Sequence, residues 1–301
     1  MDLRDLRYFE AIAEIGHLGQ AAATVNRTQP ALSKCIDRLE AELDTVLFRR
    51  DGRRLQLTPV GHVLLSRSKE MAQAMHDTVR EVGDFSRGVM GSVRIGCAAT
   101  VAERLLPQVC GMLLLEAPNV TIELAVGMNE MLRQFLRSGA LDLVIAPLRK
   151  NDGEFNAYPL IEDEVVVVAR AGHPLARPDV TMADMTQYSW ALATPRVATH
   201  RWLDNAFQKQ KLATPKVQIA SSSILLLPRV IANSDLLSFV SRQNLAPGQV
   251  GTGLREIALA DTTMKRTFGI LTRNNSYLSP ATHCLIDILK KDGATLFAGG
   301  T

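Results

Sequence analysis

The run Thr28-Gln29-Pro30-Ala31-Leu32-Ser33-Lys34-Cys35-Ile36-Asp37-Arg38-Leu39-Glu40 constrains this chain more than any other stretch. It reads as one helix with a sharp start and two unlike faces. Thr28 is placed to cap the first free amides, and Pro30 sits in the first turn, where a missing N–H costs nothing. Leu32, Ile36, Leu39 and Leu43 recur at helical spacing and predict a core stripe. Gln29, Ser33, Lys34, Asp37 and Arg38 fall off that stripe. A short polar and basic face, presented N-terminus first, suits the major groove of DNA, where Gln pairs with adenine and Lys meets guanine. The same pattern also describes the solvated face of an ordinary amphipathic helix.

The flanking residues favour the first reading. Leu3, Leu6, Phe9, Ile12, Ala13 and Ile15 predict an amphipathic helix stopped at Gly16. Leu18 to Val25 predicts a short second helix, and Asn26-Arg27 a turn. Downstream, Leu47 to Arg50, Asp51-Gly52 and Arg53 to Leu57 read as strand, two-residue turn and strand. Arg49, Arg50, Arg53 and Arg54 flank the turn. Three helices and a basic hairpin make a winged helix-turn-helix.

Residues 1–61 resemble the N-terminal domain of the LysR-type transcriptional regulators. The matching pieces are Leu6-Arg7-Tyr8-Phe9, Gln20-Ala21-Ala22, Thr28-Gln29-Pro30-Ala31-Leu32-Ser33, Arg38-Leu39-Glu40, Leu47-Phe48-Arg49-Arg50 and Leu57-Thr58-Pro59-Val60-Gly61. Where the family usually has Ser-Phe-Thr, this chain has His17-Leu18-Gly19, which weakens the expected cap of the second helix. The residues expected at DNA are Thr28, Gln29, Pro30, Ser33, Lys34, Arg38, Arg50, Arg53 and Arg54. The resemblance implies a sequence-specific regulator that binds promoter DNA, forms a homodimer through a linker helix, assembles as a dimer of dimers and engages RNA polymerase.

Bulk charge does not carry this conclusion. The chain of 301 residues has a net charge of only +3, so any electrostatic attraction to DNA must come from local clustering at the wing. The four cysteines, Cys35, Cys97, Cys110 and Cys284, form no CxxC pair and no metal-binding pattern with histidine. A peroxide-sensing branch of the family uses a cysteine pair in the distal half of its sensor. No cysteine lies between Cys110 and Cys284, which disfavours that mechanism here. The charged N-terminus and the lack of a long apolar run predict a cytoplasmic protein with no membrane span.

Thr58-Pro59 opens a helix that runs to about Gly88, with Val60, Leu64, Met71, Met75, Val82 and Phe85 as a near-heptad seam. The expected division is a DNA-binding domain at 1–58, a linker and dimerisation helix at 59–89, and an effector-binding domain at 90–301. In the third part, strands and helices alternate: Val93-Ile95-Cys97, then Leu105-Leu106-Pro107, Val120 to Val126, Met131 to Arg137 and Leu141 to Ala146. Val165 to Ala169, Trp190 to Leu192, Val217 to Ile219 and Leu236 to Val240 follow, with helices between them. The chain returns through Arg266 to Leu271 and a last helix at 280–290. Alternation of this kind predicts an α/β fold. It resembles the two-lobed periplasmic-binding-protein fold of the family's sensor, with lobe 1 at about 90–161 and 266–301 and lobe 2 at about 162–265. Leu278-Ser279-Pro280-Ala281 and Asn233-Ser234-Asp235 resemble the branch that includes regulators of aromatic-acid and sugar-uptake genes.

Ligands in such folds bind off the carboxyl ends of strands, where helix starts offer free amides. The candidates are Ala99 and Thr100 after the first sensor strand, and Asn129 after the second. In the other lobe they are Thr199 with Arg201, and Ser221 with Ser222. Hydroxyls at converging helix starts suit a small carboxylate, sulfonate or polyol, and Arg201 is either a counter-charge to an anion such as an aromatic carboxylate or simply solvated; Ser and Thr before helices also serve as caps alone. The alternative is a small-solute-binding protein of the same sensor fold. Against an enzyme, His17, His62, His76, His173, His200 and His283 are scattered, and no phosphate-binding loop is present. No cofactor, catalytic residue or metal site is expected.

Overall fold

The computed structural model describes residues 1–301 except 53, 88–90, 151, 194–197, 222, 224–225, 247–250, 260–261 and 300–301, and except the side chains of 85–87 and 198–199. The chain forms two compact units, Met1–Gly88 and Val89–Thr301.

The first unit begins with α1 (Leu3–Ile15), capped by Asp2 and ended by Gly16 at φ +69°. In α2 (Leu18–Thr24) the cap survives without a hydroxyl: His17 Nδ1 accepts from Gln20 N at 3.4 Å. The recognition helix is α3 (Gln29–Leu43). Thr28 occupies its cap position, but the hydroxyl accepts no amide. The reason is local. Pro30 has no N–H to give, and Ala31 N donates instead to the Thr28 carbonyl at 3.1 Å. Leu32, Ile36 and Leu39 are buried with Phe9, Ile12 and Leu47, whereas Leu43 at the helix end is exposed.

The wing strands β1 (Phe48–Asp51) and β2 (Arg54–Leu57) pair with Asp51 opposite Arg54 and Arg50 opposite Leu55. The turn therefore lies one residue later than expected. An Asp51-Gly52 turn would have set Arg50 against Arg53 and Arg49 against Arg54, and like charges face to face are unfavourable. The observed register removes both clashes. Gly52 adopts φ +59° at the turn. Thr58 Oγ accepts from Gly61 N at 3.0 Å and so opens α4 (Pro59–Arg87), a helix of 29 residues. Along it Val60, Val63, Met71, Met75, Val79 and Val82 are all exposed.

The second unit has two lobes with separate cores. In the first, β3 (Ser92–Ala98) lies between β4 (Thr121–Gly127) and β5 (Leu143–Pro147), parallel to both. Its face is covered by α5 (Ala99–Glu116) and α10 (Pro280–Ala298), and α6 (Asn129–Arg137) covers the other. Two long strands then carry the sheet onward: β6 (Phe155–Arg170) and the returning β11 (Met264–Arg273), paired antiparallel along their length. The parallel strands β4, β3 and β5 thus continue into a mixed sheet, with β11 inserted between β5 and β6.

The second lobe hangs from the far half of β6, which pairs with β9 (Ser238–Ser241) and β10 (Leu254–Glu256). A parallel pair, β7 (Trp190–Ala193) and β8 (Val217–Ser221), completes it with α7 (Met182–Met185), α8 (Ala198–Lys209) and α9 (Leu227–Ala232). Trp190, Phe207 and Leu237 are fully buried in its core. Where the lobes join, Asp163 on β6 is buried and accepts from Ser241 Oγ at 2.5 Å and Arg266 Nε at 2.7 Å.

Candidate functional site

On the recognition helix, Thr28, Gln29, Pro30 and Lys34 are exposed and Ser33 is half-buried. The Thr28 hydroxyl, which caps no amide of the helix, stands at the start of this face. Arg38 differs from the rest: its guanidinium grips the carboxylate of Asp5 on α1, itself 2% exposed. Beneath that pair lies Cys35, its Sγ 3.7 Å from Asp5 Oδ1. Burial, with the adjacent Asp5 carboxylate, pushes this thiol up to about 11, so Cys35 is an inert core residue and not the partly exposed group its helix position suggests. Arg49, Arg50 and Arg54 are exposed on the wing, and Arg53 lies outside the described residues.

Sequence reasoning missed two anchors here. Asp5 looks like one more surface acid, yet it fixes the recognition helix to α1. Arg27 enters the turn before Thr28 and donates through Nε to Tyr8 Oη at 2.8 Å. An arginine immediately before the helix-opening Thr28 was the available signal.

In the sensor, register brings the candidates together in pairs. Ala98 lies opposite Gly127, so the starts of α5 (with Ala99 and Thr100) and α6 (with Asn129) open side by side at one sheet end. Neither helix has a side-chain cap, and Ala99 and Thr100 are half-buried. Asn129 turns inward: its Oδ1 accepts from Arg133 Nε at 3.1 Å. Arg133 is 1% exposed, paired with Asp152, and donates to the Pro147 carbonyl at 3.3 Å. Asn129 thereby serves a buried arginine.

In the second lobe Ala193 lies opposite Ser221, so the ends of β7 and β8 are likewise adjacent. Ser221 Oγ is used locally, accepting from Ser223 N at 3.0 Å and donating to the Ser223 carbonyl. Thr199 sits inside α8, which starts at Ala198, and is therefore not its cap; its side chain is outside the described residues, as is Ser222. Arg201 is exposed. Its neighbour His200, which the sequence does not single out as a site residue, has Nε2 at 3.9 Å from Asp204 Oδ2, and its Nδ1 is buried with no partner among the described residues. No cluster of His, Cys, Asp or Glu suited to a metal occurs among the described residues, and no described helix is long and apolar enough to cross a membrane.

A winged helix-turn-helix joined to a two-lobed α/β sensor defines a ligand-responsive DNA-binding regulator. Comparison with known proteins agrees. The family model "Bacterial regulatory helix-turn-helix protein, lysR family" matches residues 3–62, and "LysR substrate binding domain" matches residues 86–294. The chain belongs to the LysR family of transcriptional regulators.

Among its relatives, the SDS degradation transcriptional activation protein of a Pseudomonas species is 29% identical over 302 residues, covering 97% of each chain. The regulator GalR of Pseudomonas putida is 27% identical over 290 residues, covering 96% of this chain and 73% of its own. Full-length CbnR in complex with its target DNA has a similar fold, with a TM-score of 0.63 at 17% identity and coverage of 98% and 100%. A full-length point variant of OxyR from Pseudomonas aeruginosa gives a TM-score of 0.60 at 21% identity, with coverage of 98% and 96%. The two sequence relatives are transcription regulators, and the chain is a DNA-binding transcription regulator with a substrate-binding domain, not an enzyme.

Proposed function

We propose that this regulator works as a homodimer held by α4, reads DNA through Thr28, Gln29, Pro30, Ser33 and Lys34, and steadies the duplex with the wing arginines. Support for the dimer comes from the exposed apolar residues Val63, Met75, Val79 and Val82, which a second copy of the helix would cover. Two recognition helices on two half-sites multiply the affinity of one small helix face. A dimer of dimers, contact with RNA polymerase and a cytoplasmic location belong to the same proposal.

The effector is a small anion, an aromatic carboxylate being the leading class. The observation that carries this reading is the pairing of strand ends in each lobe: Ala98 with Gly127, and Ala193 with Ser221. Helix starts at such ends supply free amides and a partial positive charge, with the Thr100 hydroxyl and His200 Nδ1, which has no partner among the described residues, as polar contacts. Binding would bias the arrangement of the lobes, and through it the geometry of the dimers on DNA. Asn129 and Ser221 would contribute through their backbone, since their side chains are already engaged.

The test is a footprint of the purified protein on DNA upstream of its own gene, at stated salt, with and without a panel of aromatic and sugar acids. A protected region with two-fold symmetry that shortens with one acid supports the whole reading. Protection that no acid alters would count against aromatic and sugar acids as effectors while leaving DNA recognition in place. Gln29→Ala and Ser33→Ala should weaken specific protection without changing dimerisation, and Thr100→Val should remove the effector response alone.

A further inference from the structure

The recognition helix and the wing are joined by one side chain. Glu40 lies near the C-terminal end of α3, and its backbone carbonyl accepts from Thr45 N at 3.1 Å to help close that helix. Its side chain reaches further. Glu40 Oε1 accepts from Leu47 N at 2.6 Å and from Phe48 N at 3.2 Å, the two amides at which the chain enters the wing. The next two residues are the exposed Arg49 and Arg50. The other ties on the wing lead elsewhere: Leu55 N donates to the Gly16 carbonyl at 2.8 Å, and Thr58 N to the Leu47 carbonyl at 2.9 Å. Among the described residues, Glu40 is the side chain through which α3 hydrogen-bonds the start of the wing.

We infer that Glu40 is a positioning residue for DNA binding: its carboxylate sets the spacing between the helix face in the groove and the arginines on the backbone. A charged acceptor shared by two amides is a strong and directional tether. The inference rests on the reading that the wing arginines contact DNA phosphates. It also predicts a sign that electrostatics alone would reverse. A carboxylate near DNA repels phosphate, so removing a bystander should tighten binding. Removing a positioning residue should loosen it.

The experiment measures binding of the full-length protein to a fluorescent duplex of about 60 base pairs of mixed sequence across a salt series. Wild type, E40A, E40Q, the double variant R50A/R54A and the combination E40A/R50A/R54A are compared, with melting curves for each. Glu40→Ala should lose about tenfold in affinity and flatten the log–log salt slope by about one, the signature of a lost phosphate contact. Glu40→Gln, which keeps an acceptor oxygen in place, should stay close to wild type. Adding R50A/R54A to E40A should cost much less than in the parent, because both changes remove the same contacts. Should E40A melt below the assay temperature, E40M fills the same space without an acceptor and is held to the same outcomes. Unchanged or tighter binding in the acceptor-less variant, or losses that add in full with R50A/R54A, overturns the inference. If R50A/R54A binds like wild type, the wing reading fails first and takes Glu40's role with it.

Discussion

The Arg104 guanidinium ties the two lobes of the sensor together: its Nη1 donates to the Gln243 carbonyl at 3.0 Å, across 139 positions of sequence. Its Nε donates at the same time to the Phe297 carbonyl at 2.8 Å, in the last turn of α10. Arg104 lies one helical turn after Thr100 on α5, so a change at the start of α5 acts on a helix already anchored to the other lobe.

Arg104→Ala should therefore lower the sensor's stability by about 2 kcal/mol, the scale of charge-assisted hydrogen bonds, and its melting temperature by about 4–8 °C. Arg104→Lys should recover less than half, because a single ammonium cannot span both carbonyls in the geometry of a planar fork. Differential scanning calorimetry of the two variants beside wild type checks this. A melting temperature unchanged in Arg104→Ala would leave the bridge without energetic weight.

His173 should give the sensor a pH-dependent stability. Its Nδ1 accepts from Leu175 N at 3.0 Å, which leaves the proton on Nε2, 3.3 Å from the Asp235 carbonyl. Burial lowers its pKa below the ordinary value of 6.5. The unfolded chain thus takes up a proton first as pH falls. Stability is held above about pH 6.5 and declines below it, until the folded-state pKa is passed. Urea melts from about pH 7.5 to about 5.0 should show this decline in wild type, and His173→Asn should remove most of the slope.

Gly61→Ala should damage the DNA-binding unit without touching a DNA contact. An added Cβ would overlap the Leu47 carbonyl oxygen and approach Leu57 Cδ2 to 2.9 Å. Overpacking against backbone costs about 2 kcal/mol, or about 10 °C in a unit this small. A far-UV melt that matches wild type would disprove the clash.

Trp190→Phe should be close to neutral. The indole is fully buried, packed against Phe207 and Phe239, and its Nε1 has no partner among the described residues. Phenylalanine gives up some packing but removes a donor whose burial costs about 1–3 kcal/mol, so the net change should be within about 1 kcal/mol. A loss above about 3 kcal/mol in chemical denaturation would mean the N–H is bonded after all.

The N-terminal unit was legible because its signals are local. Helical spacing placed Phe9, Ile12, Leu32 and Leu39 in the core, and Thr58-Pro59 marked the start of α4. What it could not show came from partners distant in sequence. The wing register answers to cross-strand charge, and Arg38 is held by Asp5, 33 residues away. In the sensor, only the buried run Val165–Ala169 of β6 shows in the sequence. The half from Phe155 to Glu164 carries polar residues on an exposed face and reads as loop.

The last helix extends past 290 to Ala298, beyond the expected stop, although Gly293 lies within it. That glycine is a close-packing residue: an added Cβ would stand 3.1 Å from Leu160 Cδ1. For the effector residues, spacing located the strand ends but could not show that Arg133 takes the Asn129 side chain, or that Ser221 folds back on Ser223. Those outcomes depend on groups that packing alone brings near.

The place of β11 in the sheet bears on how the protein is made. During synthesis, β5 and β6 leave the ribosome long before the strand that belongs between them. The second lobe, encoded between β6 and β11, can finish while the first still has two open edges in the middle of its sheet. Such edges recruit strands from other chains. A nascent chain that stalls ahead of Met264 is therefore a poor folding intermediate but a good seed for aggregation, because the gap stays open until β11 emerges to fill it.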